Sequence, residues 1–335
     1  MIISKVLSCI KLSIMLMFSL STFSQNKLSI ITFGATPNDS TDDQTAIENC
    51  ISAAKIEGKT VYIPKGKFRH SGLINLDGVS MTGACRDSSI LVATKLKSTI
   101  YIKGNGVLLS NFTHEASKII ARDNKIEHGS ICVWFASNFT IENLYIYKST
   151  NTGIFSFGSS YGKIINCYIN ATNADAIHNT NGSHHITVTS NVIRNNGDDM
   201  VAVVSYGKEE FSHDIIISNN DCSGNYWGRG ISVVGGHSVK IRNNKISNSS
   251  GAGIIIASES FYKTKSVYDV TIDNNLITNC GLVVPQPGIL LSGENGNVNN
   301  TIIKNTSSTD NKNGNFRSEY DVTNTTFNCN IGFGQ

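Results

Sequence analysis

Six times between residues 143 and 275 the chain places an asparagine before a short apolar stretch: ENLYIY, INCYIN, SNVIRN, NNDCSG, NNKISN and NNLITN. The marking residues are Asn143, Asn166, Asn191, Asn220, Asn244 and Asn275, at steps of 23, 25, 29, 24 and 31 residues. A period of that length is one turn of a solenoid plus loops of varying size. Within each turn a second stretch returns in register, as GIFSF, AIHNT, MVAVV, GISVV, GIIIA and GILLS. These runs are short, alternating, rich in Ile and Val, and bounded by Asn, Gly and Ser, which is strand chemistry and not helix chemistry. Stacked turns bury their inward Ile, Val and Leu in one continuous core, with parallel strands about 4.8 Å apart along the axis. Asparagines at equivalent turn positions can then hydrogen-bond along that axis. The pattern predicts an all-β fold, a right-handed parallel β-helix.

Such a solenoid needs a cover for its first open turn, and the N-terminal segment ITFGATPNDSTDDQTAIENCISAA offers one. A strand and a polar turn lead into an amphipathic helix over about 42–55, with Ala46, Ile47, Cys50, Ile51 and Ala54 on one face. Thr41 or Asp42 suits the N-cap, and Asp43 suits the positive end of the helix dipole. Asp42 and Asp43 are therefore read as helix-start residues and not as catalytic acids. Residues 1–24 read as a secretory signal: Lys5 and Lys11, an apolar run from Leu12 to Leu20, then Thr22-Phe23-Ser24 as a small-x-small cleavage site. The expected mature protein is a secreted or periplasmic monomer, a single domain over 25–335. Its polar end, about 294–335, is expected to form irregular terminal turns with a loose loop.

The chain has 335 residues, 40% of them hydrophobic and only 16% charged, which is enough for one large core. Without Lys5 and Lys11 the formal charge falls from +3 to +1, so no nucleic-acid footprint or basic membrane patch is evident. No second apolar stretch approaches the roughly 20 residues of a membrane span. Of eight cysteines, the seven in the expected mature part (50, 85, 132, 167, 222, 280, 329) are scattered without CxxC pairs, which argues against zinc and for small buried core residues over disulfides.

Against this background three aspartates stand on adjacent repeats: Asp175 in NADAIH, then Asp198 and Asp199 in NNGDDMVAVVS. One protonated carboxyl group to donate to a leaving oxygen and one carboxylate to activate water are what glycoside hydrolysis requires, about 6.5–9.5 Å apart for inversion. Adjacent rungs supply such distances when side chains project from one face. Crowding three carboxylates raises the pKa of one of them, which suits a general acid. A turn aspartate capping local amides, or a calcium-binding cluster, uses the same residues. His178 follows Asp175 on the outward strand, and His178 with Tyr206 can serve proton removal and return in a lyase or C5-epimerase. Tyr226 and Trp227 precede Arg229 and offer aromatic faces to a sugar, while His184 and His185 read as exposed turn residues.

The segment ITFGATPNDSTDDQTAIENC with VYIPKGKFRHSGLINLDGVSMTGAC resembles the start of the pectate-lyase-like superfamily, where an "FGA...DD...AI" pattern precedes a β-helix. More specifically, NAD at 173–175, GDD at 197–199 and GRG at 228–230 resemble the NTD, GDD or QDD, and GHG motifs of family 28 glycoside hydrolases, the polygalacturonases and their relatives. That resemblance implies a polysaccharide or oligosaccharide substrate, Asp198 as general acid, and Asp175 and Asp199 holding and deprotonating a water, with no cofactor or metal. Two departures matter: Arg229 replaces the motif histidine, and the Arg-x-Lys that grips a uronate carboxylate aligns with Ile255 and Ala257. A neutral, sulfated or differently presented glycan is then as good a substrate as galacturonan. Arg229 can alternatively bind an anionic group, or abstract a C5 proton as in pectate lyases, where acidic residues hold calcium. A non-catalytic glycan-binding solenoid is the remaining reading, and it predicts acids that fail to align across rungs. Fold alone does not choose among these.

Overall fold

A computed structural model of the chain describes residues 26–117 and 121–333, so the expected signal segment lies outside the described residues. Every paired strand runs parallel to its partner one turn away, and the turns stack into a right-handed β-helix. Ile131, Ile154, Ile177, Val201, Ile231, Ile254 and Ile289 share one inward position on successive turns. All are fully buried, each worth about 1.5–3 kcal/mol of transfer free energy. Because side chains alternate along a strand, burying this column forces Phe155, His178, Ala202 and Ser232 to face outward on the same strands.

Each turn carries three strands where the sequence shows two. On the turns carrying the aspartates the third set, Lys163–Ile165, Thr187–Thr189 and Ile216–Ser218, is only three residues long. One inward side chain in three leaves too little periodicity to detect.

The asparagine repeat divides into two neighbouring ladders. Asn191, Asn220, Asn244 and Asn275 are buried, and the carboxamide oxygens of the last three each accept both the backbone and side-chain amides of the asparagine one rung before: Asn191 donates to Asn220 Oδ1 at 2.9 and 3.0 Å, while its own Oδ1 accepts from Cys167 N. Asn143 and Asn166 instead occupy the preceding turn position, with φ of 49° and 53°, shared with Asn219, Asn243 and Asn274. Asparagine serves both, since it tolerates left-handed backbone and can pair with itself.

The capping helix runs from Gln44 to Glu57 and buries the five residues expected. Asp43 precedes it but does not cap it. Its carboxylate accepts from Thr36 N at 2.8 Å and Arg69 N at 2.9 Å, tying the incoming loop to the first turn, while Asp42 Oδ1 accepts from Gln44 N at 3.2 Å. Five of the seven cysteines are buried, all seven are free, and no disulfide occurs among the described residues.

The polar C-terminal region departs from the expected loose loop. Ile289–Lys304 and Phe316–Asn328 are long strands that pair with one another, with a register shift between Gly293 and Val298. Their backbones are satisfied by the rung below, so polar side chains can face solvent on the last turn. No helix among the described residues is long and apolar enough to cross a membrane.

Candidate active site

Asp175 ends the turn before strand Ile177–Thr180, and Asp198 and Asp199 end the equivalent turn before Val201–Val204. Two glycines let these turns nest. A Cβ on Gly197 would lie 2.0 Å from Asn173 O, and one on Gly228 would lie 2.2 Å from the Asp198 carbonyl carbon. The GDD and GRG glycines are thus required by the close approach of rungs on either side of the acids.

The aspartates are linked by backbone amides. Asp175 Oδ1 accepts from Asp199 N at 2.8 Å, and Asp199 Oδ1 accepts from Arg229 N at 2.7 Å. Asp175 Oδ2 lies 2.5 Å from His178 Nδ1, and Asp199 Oδ2 accepts from Ser232 Oγ at 2.6 Å. Arg229 Nε lies 3.0 Å from Asp199 Oδ1, an ion pair without hydrogen-bond alignment, and Arg229 Nη1 lies 3.4 Å from Glu259. Asn196 and Asn225 hold the loop from behind, both donating to the Asp198 carbonyl.

Asp198 differs from its neighbours. Its side chain is 24% exposed, against 7% for Asp175 and 6% for Asp199. Its Oδ2 pairs with Arg122, and of the three aspartates lining the cleft its side chain is the most exposed.

One oxygen from each aspartate lies within 4.8 Å of the others. Their nearest oxygens are thus no farther apart than about one rung spacing. The pKa values are pushed apart. Burial raises Asp199 to about 7, with Asp198 and Asp175 adding to it against the pull of Arg229 and Ser232. Burial and the neighbouring Asp175 raise Asp198 against Arg122 and Arg229. Asp175 is buried too, yet the hydrogen bond and charge of His178, with Arg122, bring it below the usual carboxylate range.

Arg229, His178 and Tyr206 join the three aspartates in lining one cleft. Burial pushes the Tyr206 phenol up to about 12. Tyr226 and Trp227 are 55% and 44% exposed and lie outside this lining. Ile255 and Ala257, the positions aligned with the carboxylate clamp, pack in a small apolar cluster with Val234, Ala252 and Leu290. Sequence reasoning missed Arg122, Glu259 and Tyr262, which line the cleft from loops outside the repeats. No repeat position marked them. The loops carrying Tyr206 and Thr264 meet through an antiparallel bridge and wall one side of the cleft.

As a cation site the trio fits poorly. Both oxygens of Asp175 and Asp199 already accept hydrogen bonds, and two guanidinium groups supply positive charge. Calcium ligation would have to displace Arg122 from Asp198.

The rhamnogalacturonase A/epimerase, pectate lyase-like family matches residues 28–281. The chain belongs to this family. That places it among the polysaccharide-acting β-helices. No curated protein matches it in sequence. Among solved structures it is similar to the A-module of a mannuronan C-5 epimerase from Azotobacter vinelandii, at 16% identity and a TM-score of 0.66 over 90% of this chain and 94% of that one. It is also similar to the catalytic unit of a thermostable family 87 α-1,3-glucanase from Streptomyces thermodiastaticus, at 20% identity and TM-score 0.66 over 92% of this chain and 64% of that one. A Geobacillus virus E2 protein matches at 12% identity and TM-score 0.72, over 93% and 62%. At these identities the likeness is one of fold. Membership of the rhamnogalacturonase A/epimerase family and this β-helix do not by themselves choose the reaction.

Proposed function

We propose that this protein hydrolyses a glycosidic bond of a polysaccharide, with Asp198 as general acid and Asp175 as the base that activates water beside Asp199. The observation that carries this reading is the division of the trio: one acid held ionised, two held toward protonation, all on one cleft. Asp198 donates its proton to the leaving oxygen as the C1–O bond breaks. A water lodged between Asp175 and Asp199 adds its hydroxyl to C1 and gives its proton to Asp175. Asp199 positions that water while anchored by Arg229 and Ser232. The reaction needs no metal. Because the Arg-x-Lys positions are apolar, the substrate unit beyond Arg229 is a neutral sugar in preference to a uronate.

A second reading, lyase or C5-epimerase chemistry on a uronate, is favoured by one observation: His178 and Tyr206 line the same cleft as two arginines that can neutralise a carboxylate. Incubation with a glycan panel separates the two. New reducing ends without ultraviolet-absorbing unsaturated ends support hydrolysis, whereas unsaturated products or altered epimer ratios without cleavage overturn it. Family 28 resemblance implies inversion, and proton NMR of the first-formed anomer tests it.

A further inference from the structure

Around the corner from the cleft, the solenoid stacks imidazoles. His184, His213 and His237 occupy one turn position on successive rungs, paired by parallel backbone bridges. Their rings lie face to face, 4.8 Å apart at interplanar angles of 1° and 2°. The next position on these rungs holds His185 and Asp214, both in left-handed backbone at φ 54° and 51°. Two adjacent rungs thus present a square of four donor side chains: His184 and His185 on one, His213 and Asp214 on the other.

We propose that His185, His213 and Asp214, with His184 beside them, hold one zinc-class divalent ion on the outer turn of the solenoid. One ligating atom from each of the three lies within 4.8 Å of the others. His184 Nδ1 is 2.8 Å from His185 Nδ1, and His213 Nδ1 is 2.7 Å from Asp214 Oδ2. Tetrahedral zinc with bonds of about 2.0–2.1 Å needs donors roughly 3.4 Å apart, a change that side-chain rotation can supply. Two imidazoles and a carboxylate select a borderline transition ion over calcium or magnesium, which take oxygen ligands. None of these residues lines the aspartate cleft. An ion here bridges two rungs, so it acts as a clip along the axis.

The test is isothermal titration of the untagged, metal-free protein with zinc chloride, with thermal melts alongside. One zinc per chain and a raised melting temperature are expected. His185→Asn, which tolerates the left-handed backbone, and His213→Ala should each weaken zinc binding at least ~10-fold and remove the thermal gain. Asp198→Asn should bind zinc as the parent does. Absence of stoichiometric binding, binding that survives both histidine variants, or binding lost in Asp198→Asn would each overturn the assignment.

Discussion

The Asp199 amide donates to Asp175 Oδ1 at 2.8 Å, so the carboxylate of one rung holds the backbone that presents the acids of the next. The same hand-off recurs one rung on, from Arg229 N to Asp199 Oδ1 at 2.7 Å. Asp175 and Asp199 are therefore fixed to the scaffold by the contacts that shape the site, while Asp198 is left facing the cleft.

Asp198→Asn should then separate chemistry from folding. Turnover on the responsive glycan is expected to fall at least ~10²-fold, the usual contribution of a general acid. The melting temperature should stay within about 3 °C, since Asn196 and Asn225 still hold the loop. Asp175→Asn should lose both activity and stability. Reducing-end assays with thermal melts check this, and full activity in Asp198→Asn would refute the assignment.

The pH profile follows from the divided carboxylates. Asp175 must be ionised, and burial with Asp198 and Asp175 holds a proton on Asp199 up to about 7. The kcat/KM should accordingly fall as pH rises through about 7, as the Asp198–Asp199 pair gives up the proton the acid step needs. His178→Gln removes the partner that keeps Asp175 low, so the acid limb should move to higher pH. A profile flat beyond pH 8 would contradict this order.

Gly228→Ala places a Cβ 2.2 Å from the Asp198 carbonyl carbon. The rung must shift, and with it the acid. Activity is expected to drop by about 10²-fold, as misplacement by about an ångström does, with far-ultraviolet circular dichroism unchanged. Retained activity would show that the rungs can part without cost.

Asn220→Ala tests the buried ladder. It strands two donors of Asn191 and removes the side-chain amide donated to Val188 O and Asn244 Oδ1, the latter keeping the Asn220 backbone amide. A loss of about 3 kcal/mol in denaturant unfolding is expected. Asn143→Ala, on the half-buried outer ladder, should cost under about 1 kcal/mol.

The repeat made the β-helix legible because a stacked coil must bury the same inward position on every turn, and Ile, Val and Asn recur wherever that need recurs. The same register placed Asp175 one rung from Asp198 and Asp199, with Arg229 a rung further. It also misled in detail. Asn143 and Asn191 look alike in sequence, yet one holds left-handed backbone and the other a buried ladder.

What the sequence by itself determined is everything tied to the period: the solenoid, its capping helix and the alignment of the aspartates. Only the tertiary structure decided what the period does not govern. Arg122 reaches Asp198 across 76 residues from a loop outside the repeat, and Glu259 meets Arg229 in the same way. The carboxyl separation and the divided pKa values likewise depend on rung spacing, burial and partners brought from elsewhere. Local pattern is set by the residues that must be buried on each turn, whereas loops of free length find their contacts only once the coil exists.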